Sequence, residues 1–227
     1  MGEPTTDTDR AGATAPLRRT PRQARSRARL ARVLEAAERV LVAEGVEALT
    51  TTRVAAEAKV SVGSLYQYLP DRDAIIEALA TGYFARLERV MDDFARAAEA
   101  ERWDDPVGVL VDACAAVYRA EHGFRALWFG SGLTERARDA DREHKRRMAD
   151  GVRRILLALG LAQDDEALGR ACHAAFLAGD ALAQEAFRRD PEGDSILLDE
   201  ARIMLRGYLA QVTARYRSDD ERPPPRR

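Results

Sequence analysis

Hydroxyls, one amide and small side chains fill the run Ser61-Val62-Gly63-Ser64-Leu65-Tyr66-Gln67-Tyr68, which carries no charge. Read as a helix from Val62 to Tyr68, it buries Leu65 and, four residues on, Leu69, leaving Val62, Gly63, Ser64 and Gln67 outside. The chemistry such a face offers is recognition. Gln67 can donate and accept together, matching the N6/N7 edge of adenine, and Val62 can meet a thymine methyl. Small residues at a helix N-terminus let the backbone approach base edges in a major groove about 12 Å wide. The hydroxyls of Ser61, Ser64, Tyr66 and Tyr68, with the N–H groups of the helix end, are donors to phosphate oxygens. The same residues would also suit a three-helix packing unit in which the tyrosines only cover core edges.

The elements that must position this face are legible around it. Thr50 is an N-cap for a short helix carrying Val54, Ala55 and Ala58, and Ser61 is the N-cap of the next. Upstream, Val33, Leu34, Ala37, Val40 and Leu41 repeat at helical spacing, and Gly45 ends that helix. Arg53 and Arg72 fall in the first turns of their helices, where the macrodipole disfavours a cation by a few tenths of a kcal/mol. A phosphate at either helix end would reverse that; a merely solvated Arg53 fits the pattern nearly as well.

VSVGSLYQYLPDRDAI closely resembles the helix-turn-helix signature of TetR-family transcriptional regulators, through Val60, Ser61, Gly63, Ser64, Leu65, Tyr66 and Tyr68. Arg72 stands at the usual lysine position, and Leu69 replaces the more usual aromatic. Lys59 stands where the family usually has a turn glycine; at φ > 0 a lysine costs on the order of 1 kcal/mol. The resemblance is sharp over residues 25–75 and loose beyond. It implies an all-α fold, with an N-terminal three-helix helix-turn-helix DNA-binding domain and a C-terminal helical ligand-binding and dimerisation domain. The DNA-binding set expected from the residue chemistry together with this resemblance is Thr50, Arg53, Ser61, Val62, Gly63, Ser64, Tyr66, Gln67, Tyr68 and Arg72.

Composition agrees in its distribution more than in its total. The 227 residues are 46% apolar and 33% charged, enough for a substantial core. Net charge is −2, yet residues 1–72 hold 12 basic and 9 acidic side chains, net +3, and the remainder holds 24 and 29, net −5. Seven arginines and no acid lie between Pro16 and Leu34. A basic head on an acidic body suits docking to phosphate. No run has the length of a membrane span and no apolar leader opens the chain, so a cytoplasmic protein without membrane contact is expected. Cys114 and Cys172 make no disulfide framework and read as small core residues.

In chain order, residues 1–24 are expected to form a disordered basic arm that either enters a groove or is simply solvated. Residues 25–72 form the DNA-binding domain, 73–217 the effector-binding and dimerisation domain, and 218–227 a disordered tail. Asp71 opens a long helix with the stripe Ile75, Ile76, Leu79, Tyr83, Leu87, Val90, Met91 and Phe94, expected to reach about Arg102. Further helices are expected over 106–120, 123–133, 137–159, 165–189 and 195–216. The last two are richer in apolar and small residues than one partner needs, which suits a two-fold four-helix bundle through Leu182, Phe187, Leu205, Tyr208 and Leu209. An ordinary monomer core is the alternative. Tyr118, Trp128, Phe129, His144, Phe176 and Asp180 are candidate walls of an effector pocket, though any helical core holds such an inventory.

Spacing offers no chemistry of bond making: there is no HExxH, phosphate-binding glycine loop or nucleophile elbow, and the three histidines make no metal set. No enzyme activity and no cofactor is expected. The expectation is a homodimeric regulator, usually a repressor, that binds a palindromic double-stranded DNA operator and answers to a small apolar effector. The alternative is an all-helical small-molecule-binding protein or enzyme without DNA binding.

Overall fold

Side chains of Ser, Thr or Asp start most of the helices. In the computed structural model, which describes residues 21–129 and 134–215, α1 spans Pro21–Glu44, α2 Thr51–Glu57, α3 Val62–Tyr66, α4 Arg72–Ala97 and α5 Pro106–Ala120. The remaining helices are α6 His122–Trp128, α7 Glu135–Ala158, α8 Glu166–Arg189 and α9 Ser195–Arg215. Thr50 Oγ1 accepts from the Arg53 N–H at 3.1 Å, Ser61 Oγ from Ser64 at 3.2 Å and Asp71 Oδ1 from Ala74 at 2.7 Å. Asp105, Thr134 and Asp165 cap α5, α7 and α8 in the same way. Each such cap contributes about 1 kcal/mol.

The first three helices and the start of α4 close over Val33, Val40, Leu41, Leu49, Val54, Leu65, Ile75 and Ile76, all nearly inaccessible. This core runs without a break into the C-terminal body along α4, through Tyr83 and Phe84 to Phe124 and Leu127 of α6. A smaller cluster, Leu156, Leu168, Cys172 and Val212, ties α7, α8 and α9 together. Among the described residues every regular element is helical.

Several boundaries differ from expectation, among them α6, which ends at Trp128 rather than 133, and α7, which starts at Glu135 rather than 137. α1 begins at Pro21, so the helix enters the stretch read as arm; most of residues 1–24, and the tail from 218, lie outside the described residues. α3 ends at Tyr66 rather than Tyr68. There the Tyr68 N–H bonds Leu65 O at 2.9 Å, tightening the last turn, and Pro70 bars continuation by pushing Leu69 away from helical backbone. α4 stops at Ala97 rather than near Arg102. The chain turns there so that Trp103 stacks on Phe94 (4.3 Å between ring centroids), while Arg102 satisfies the Ala98 and Glu101 carbonyls.

Candidate nucleic-acid interface and internal cavity

The tip of α3 stands outside the subunit. Ser61, Gly63, Tyr66 and Gln67 are exposed, and Val62, Ser64 and Tyr68 half-buried. Leu65 and Leu69 are buried as their spacing required. A Cβ built on Gly63 would meet nothing within 4 Å. Packing inside the subunit therefore does not require glycine at this position. Lys59 adopts φ 55, the left-handed geometry that its turn demands between α2 and α3. The two tyrosines divide the work. Tyr66 is 50% exposed, its hydroxyl 3.4 Å from Thr51 Oγ1 at the start of α2. The Tyr68 hydroxyl instead accepts from Ser26 Oγ of α1 at 3.1 Å, so it braces α3 against α1.

Both arginines expected on phosphate are held by the protein itself. Arg53 Nη2 lies 2.5 Å from Glu44 at the end of α1 and Nη1 3.3 Å from Glu57 one turn on, while Arg39 shares Glu57 at 3.0 Å. Arg39 and then Arg53 hold the Glu57 carboxyl below its ordinary range. These acids offset the unfavourable dipole at the head of α2 and clamp α1 to α2. Arg72 Nη2 donates to the Val46 carbonyl at 3.0 Å and meets Glu47 at 3.2 Å, and its Nε is buried without a partner. Arg72 thus locks the head of α4 to the short turn Val46–Ala48. Arg53 and Arg72 act as braces of the domain. Arg27, Arg29 and Arg32 on α1 and Lys59 are exposed, and none makes an ion pair among the described residues.

Inside the C-terminal body lies a cavity of about 360 Å³, walled by α4, α5, α7, α8 and α9. It brings together Tyr118, His144, Phe176 and Asp180 of the expected set. Trp128 and Phe129 do not line it. Trp128 stacks on Phe124 (5.2 Å) and meets Phe84 edge-on (5.2 Å), so its apolar area is spent joining α6 to α4. Leu87, Met91 and Phe94 of α4, Cys114 of α5, and Met148 and Ile155 of α7 line the cavity as well, beyond the expected set. The α4 stripe was legible as apolar, but helical periodicity cannot say whether such a stripe meets side chains or space. Burial pushes the Cys114 thiol up to about 12, and the Tyr118 hydroxyl well above its ordinary value.

The expected dimer set is also divided. Phe187 is 2% exposed and stacks on Tyr118 at 4.8 Å, so it is inside its own subunit. Leu205 and Leu209 line the cavity, and Leu182 and Tyr208 are half-buried. Exposed apolar surface on α8 and α9 comes instead from Leu177, Ile196 (72%) and Ile203 (61%), with Ala174, Ala181, Gly207 and Ala210 beside them.

A joint links the two halves. Tyr83 of α4 donates to Glu38 of α1 at 3.3 Å, and Arg86 pairs with Glu121 before α6 at 2.9 Å. Gly123 is pressed against them: a Cβ there would lie 2.0 Å from the Tyr83 hydroxyl and 3.1 Å from Glu38 Oε1. Among the described residues no group of three or more His, Cys, Asp or Glu is placed to hold a metal ion, and no helix is long and apolar enough to cross a membrane.

Comparison with known proteins gives a consistent result. The family described as bacterial regulatory proteins, tetR family, matches residues 33–79, and the tetracyclin repressor-like C-terminal domain matches residues 101–213. A TetR-family transcriptional regulator from Streptomyces coelicolor is 29% identical, the match covering 82% of this chain and 98% of that one at a TM-score of 0.62. A TetR-family protein from Mesorhizobium loti is 15% identical with the same coverage, 82% and 98%, at 0.65. The multidrug binding protein EbrR, complexed with ethidium, is 23% identical over 79% of this chain and 97% of that one at 0.56. No curated protein matches.

Proposed function

The chain belongs to the TetR family of transcriptional regulators, and we propose that it works as a homodimeric repressor released from a palindromic operator by a small, largely apolar effector. The observation that carries this reading is the tip of α3: an uncharged, exposed surface with open space around Gly63, capped and braced so that it keeps its shape. Val62, Gly63, Ser64 and Gln67 meet base edges; Thr50, Ser61, Tyr66 and the helix N-termini face phosphate. Arg27, Arg29 and Arg32 supply the long-range attraction that the braced Arg53 and Arg72 do not. Two copies joined through the exposed faces of α8 and α9 present two such tips to half-sites about 34–36 Å apart.

Release follows from the placement of α4. One helix supplies Leu87, Met91 and Phe94 to the cavity and, at its other end, Arg72 to the lock on the turn before α2. An occupant that favours a different setting of α4 moves the tips away from the operator spacing, by no more than its differential affinity for the two settings. Selection of duplexes from a random pool by the purified protein, followed by a salt titration on the recovered sequence, tests the proposal. A palindrome bound with affinity falling steeply with salt supports it. Absence of any enriched duplex, or a flat salt response, removes it.

A further inference from the structure

Asp180 and His144 reach the cavity as acceptors; of the hydroxyls that also line it, Tyr118 directs its own at Asp180 and Thr213 donates to the Ala210 carbonyl at 3.1 Å. Asp180 lines the cavity with a side chain only 13% exposed. Its Oδ2 accepts from Gln184 at 2.8 Å and sits 3.3 Å from Lys145 Nζ, while Lys145 is bound more closely, at 2.8 Å, by Asp141. Two carboxylates thus share one ammonium, and Lys145 does not itself line the cavity. His144, 4% exposed, also lines it. Its Nδ1 is 2.8 Å from Glu88 of α4, a carboxylate that also holds Arg147 at 2.8 Å. A carboxylate in that position accepts, so Nδ1 carries the proton, and in the neutral ring Nε2 turns a lone pair the other way. Burial holds the His144 ring below its ordinary pKa, against the pull of Glu88, which keeps it neutral.

Cations are missing from the interior wall. Arg206 lies at the rim and is engaged by Asp105 at two points, 3.0 and 2.5 Å. An anionic ligand would therefore lie beside a buried carboxylate that shares its one ammonium, with the hydroxyl and guanidinium donors of the lining already engaged, whereas a protonated amine would find two acceptors set in an apolar wall. Resting on the reading of this cavity as the effector site, we infer that it selects an apolar body bearing a protonated primary or secondary amine, hydrogen-bonded to Asp180 and His144, and discriminates against carboxylates.

The test is a calorimetric titration of the full-length protein at pH 7 with decylamine, 1-decanol and decanoate, three chains of one length, below their aggregation limits. The expected order is decylammonium first, decanol next and decanoate last, with about tenfold or more between the ends. Asp180→Asn, which keeps size and leaves Lys145 to Asp141, is expected to lower decylammonium affinity about tenfold and to leave decanol within about twofold. Should the variant fail to fold, the order of the three ligands in the unaltered protein still decides. Decanoate binding as tightly as decylammonium overturns the assignment of ligand class while leaving the cavity as a binding site. Binding of none of the three overturns both.

Discussion

Gly63→Ala separates packing from recognition, because the two carry opposite signs at this position. Gly63 lies in the first turn of α3, and the added methyl would meet nothing within 4 Å. Within the subunit the change costs no contact. It removes backbone freedom from the unfolded chain and raises helix propensity, so stability rises by about 0.5–1 kcal/mol. For a chain of this length that shifts the melting temperature upward by roughly 1–4 °C. In a groove the same methyl stands between the backbone and the base edges and displaces the contacts that close approach permits. Losing one such contact costs about 1–3 kcal/mol, a fall in operator affinity of at least fivefold. Thermal melting followed by circular dichroism, and fluorescence anisotropy on the selected duplex, measure the two quantities on one sample. A variant that melts higher and binds less well supports the exposed tip. Unchanged affinity would remove Gly63 from the contact surface, and a lower melting temperature would contradict the open space around it.

Tyr66→Phe should weaken operator binding several-fold with melting unchanged within about 0.5 kcal/mol, since the residue is half exposed; early melting would mark it as a core group. Lys59→Gly should stabilise the protein by about 1 kcal/mol in urea unfolding, because φ 55 strains a side chain but not glycine. Gly123→Ala should cost about 1–3 kcal/mol, as its methyl would collide with the buried Tyr83 hydroxyl; a neutral result would refute the close joint between α6, α4 and α1. Ile203→Glu should turn a dimer into a monomer in sedimentation, and persistence of the dimer would place the interface elsewhere. His144 is depressed below 6.5 in the folded state by burial, only partly offset by Glu88. The unfolded chain therefore binds the extra proton first, and stability falls as pH drops below about 6.5. His144→Asn should flatten that part of a melting-temperature curve; an unaltered slope would exclude His144 as its source.

Much of this molecule is written in short-range pattern. Thr50, Ser61 and Asp71 each cap the helix they precede, because a cap is a bond to an N–H three residues away. Leu65 turns inward while Gly63 stays out, because helical geometry alone sets those directions. α5 runs from Pro106 to Ala120 as the proline and the following Glu121-His122-Gly123 indicate. The all-helical fold and the uncharged tip follow from such local rules, and the resemblance to TetR regulators rests on the same sixteen-residue run.

What local rules could not supply is the identity of each side chain's partner across the fold. Arg53 and Arg72 look free in sequence, yet packing brings Glu44, Glu57, Glu47 and the Val46 carbonyl to them, so that each braces the domain. Trp128 and Phe129 share the composition of a pocket wall, but the placement of α6 puts Trp128 against Phe84, while Leu87 and Met91 face the cavity instead. Phe187 has the spacing of an interface residue and stacks on Tyr118 inside its own subunit. Rim pairs such as Arg206 with Asp105, 101 residues apart, exist only once α9 lies against α5. Helix formation is decided by neighbours within a turn, so sequence alone determines it; burial, charge pairing and the shape of a cavity depend on which faces of different helices meet, and only the packed chain decides that.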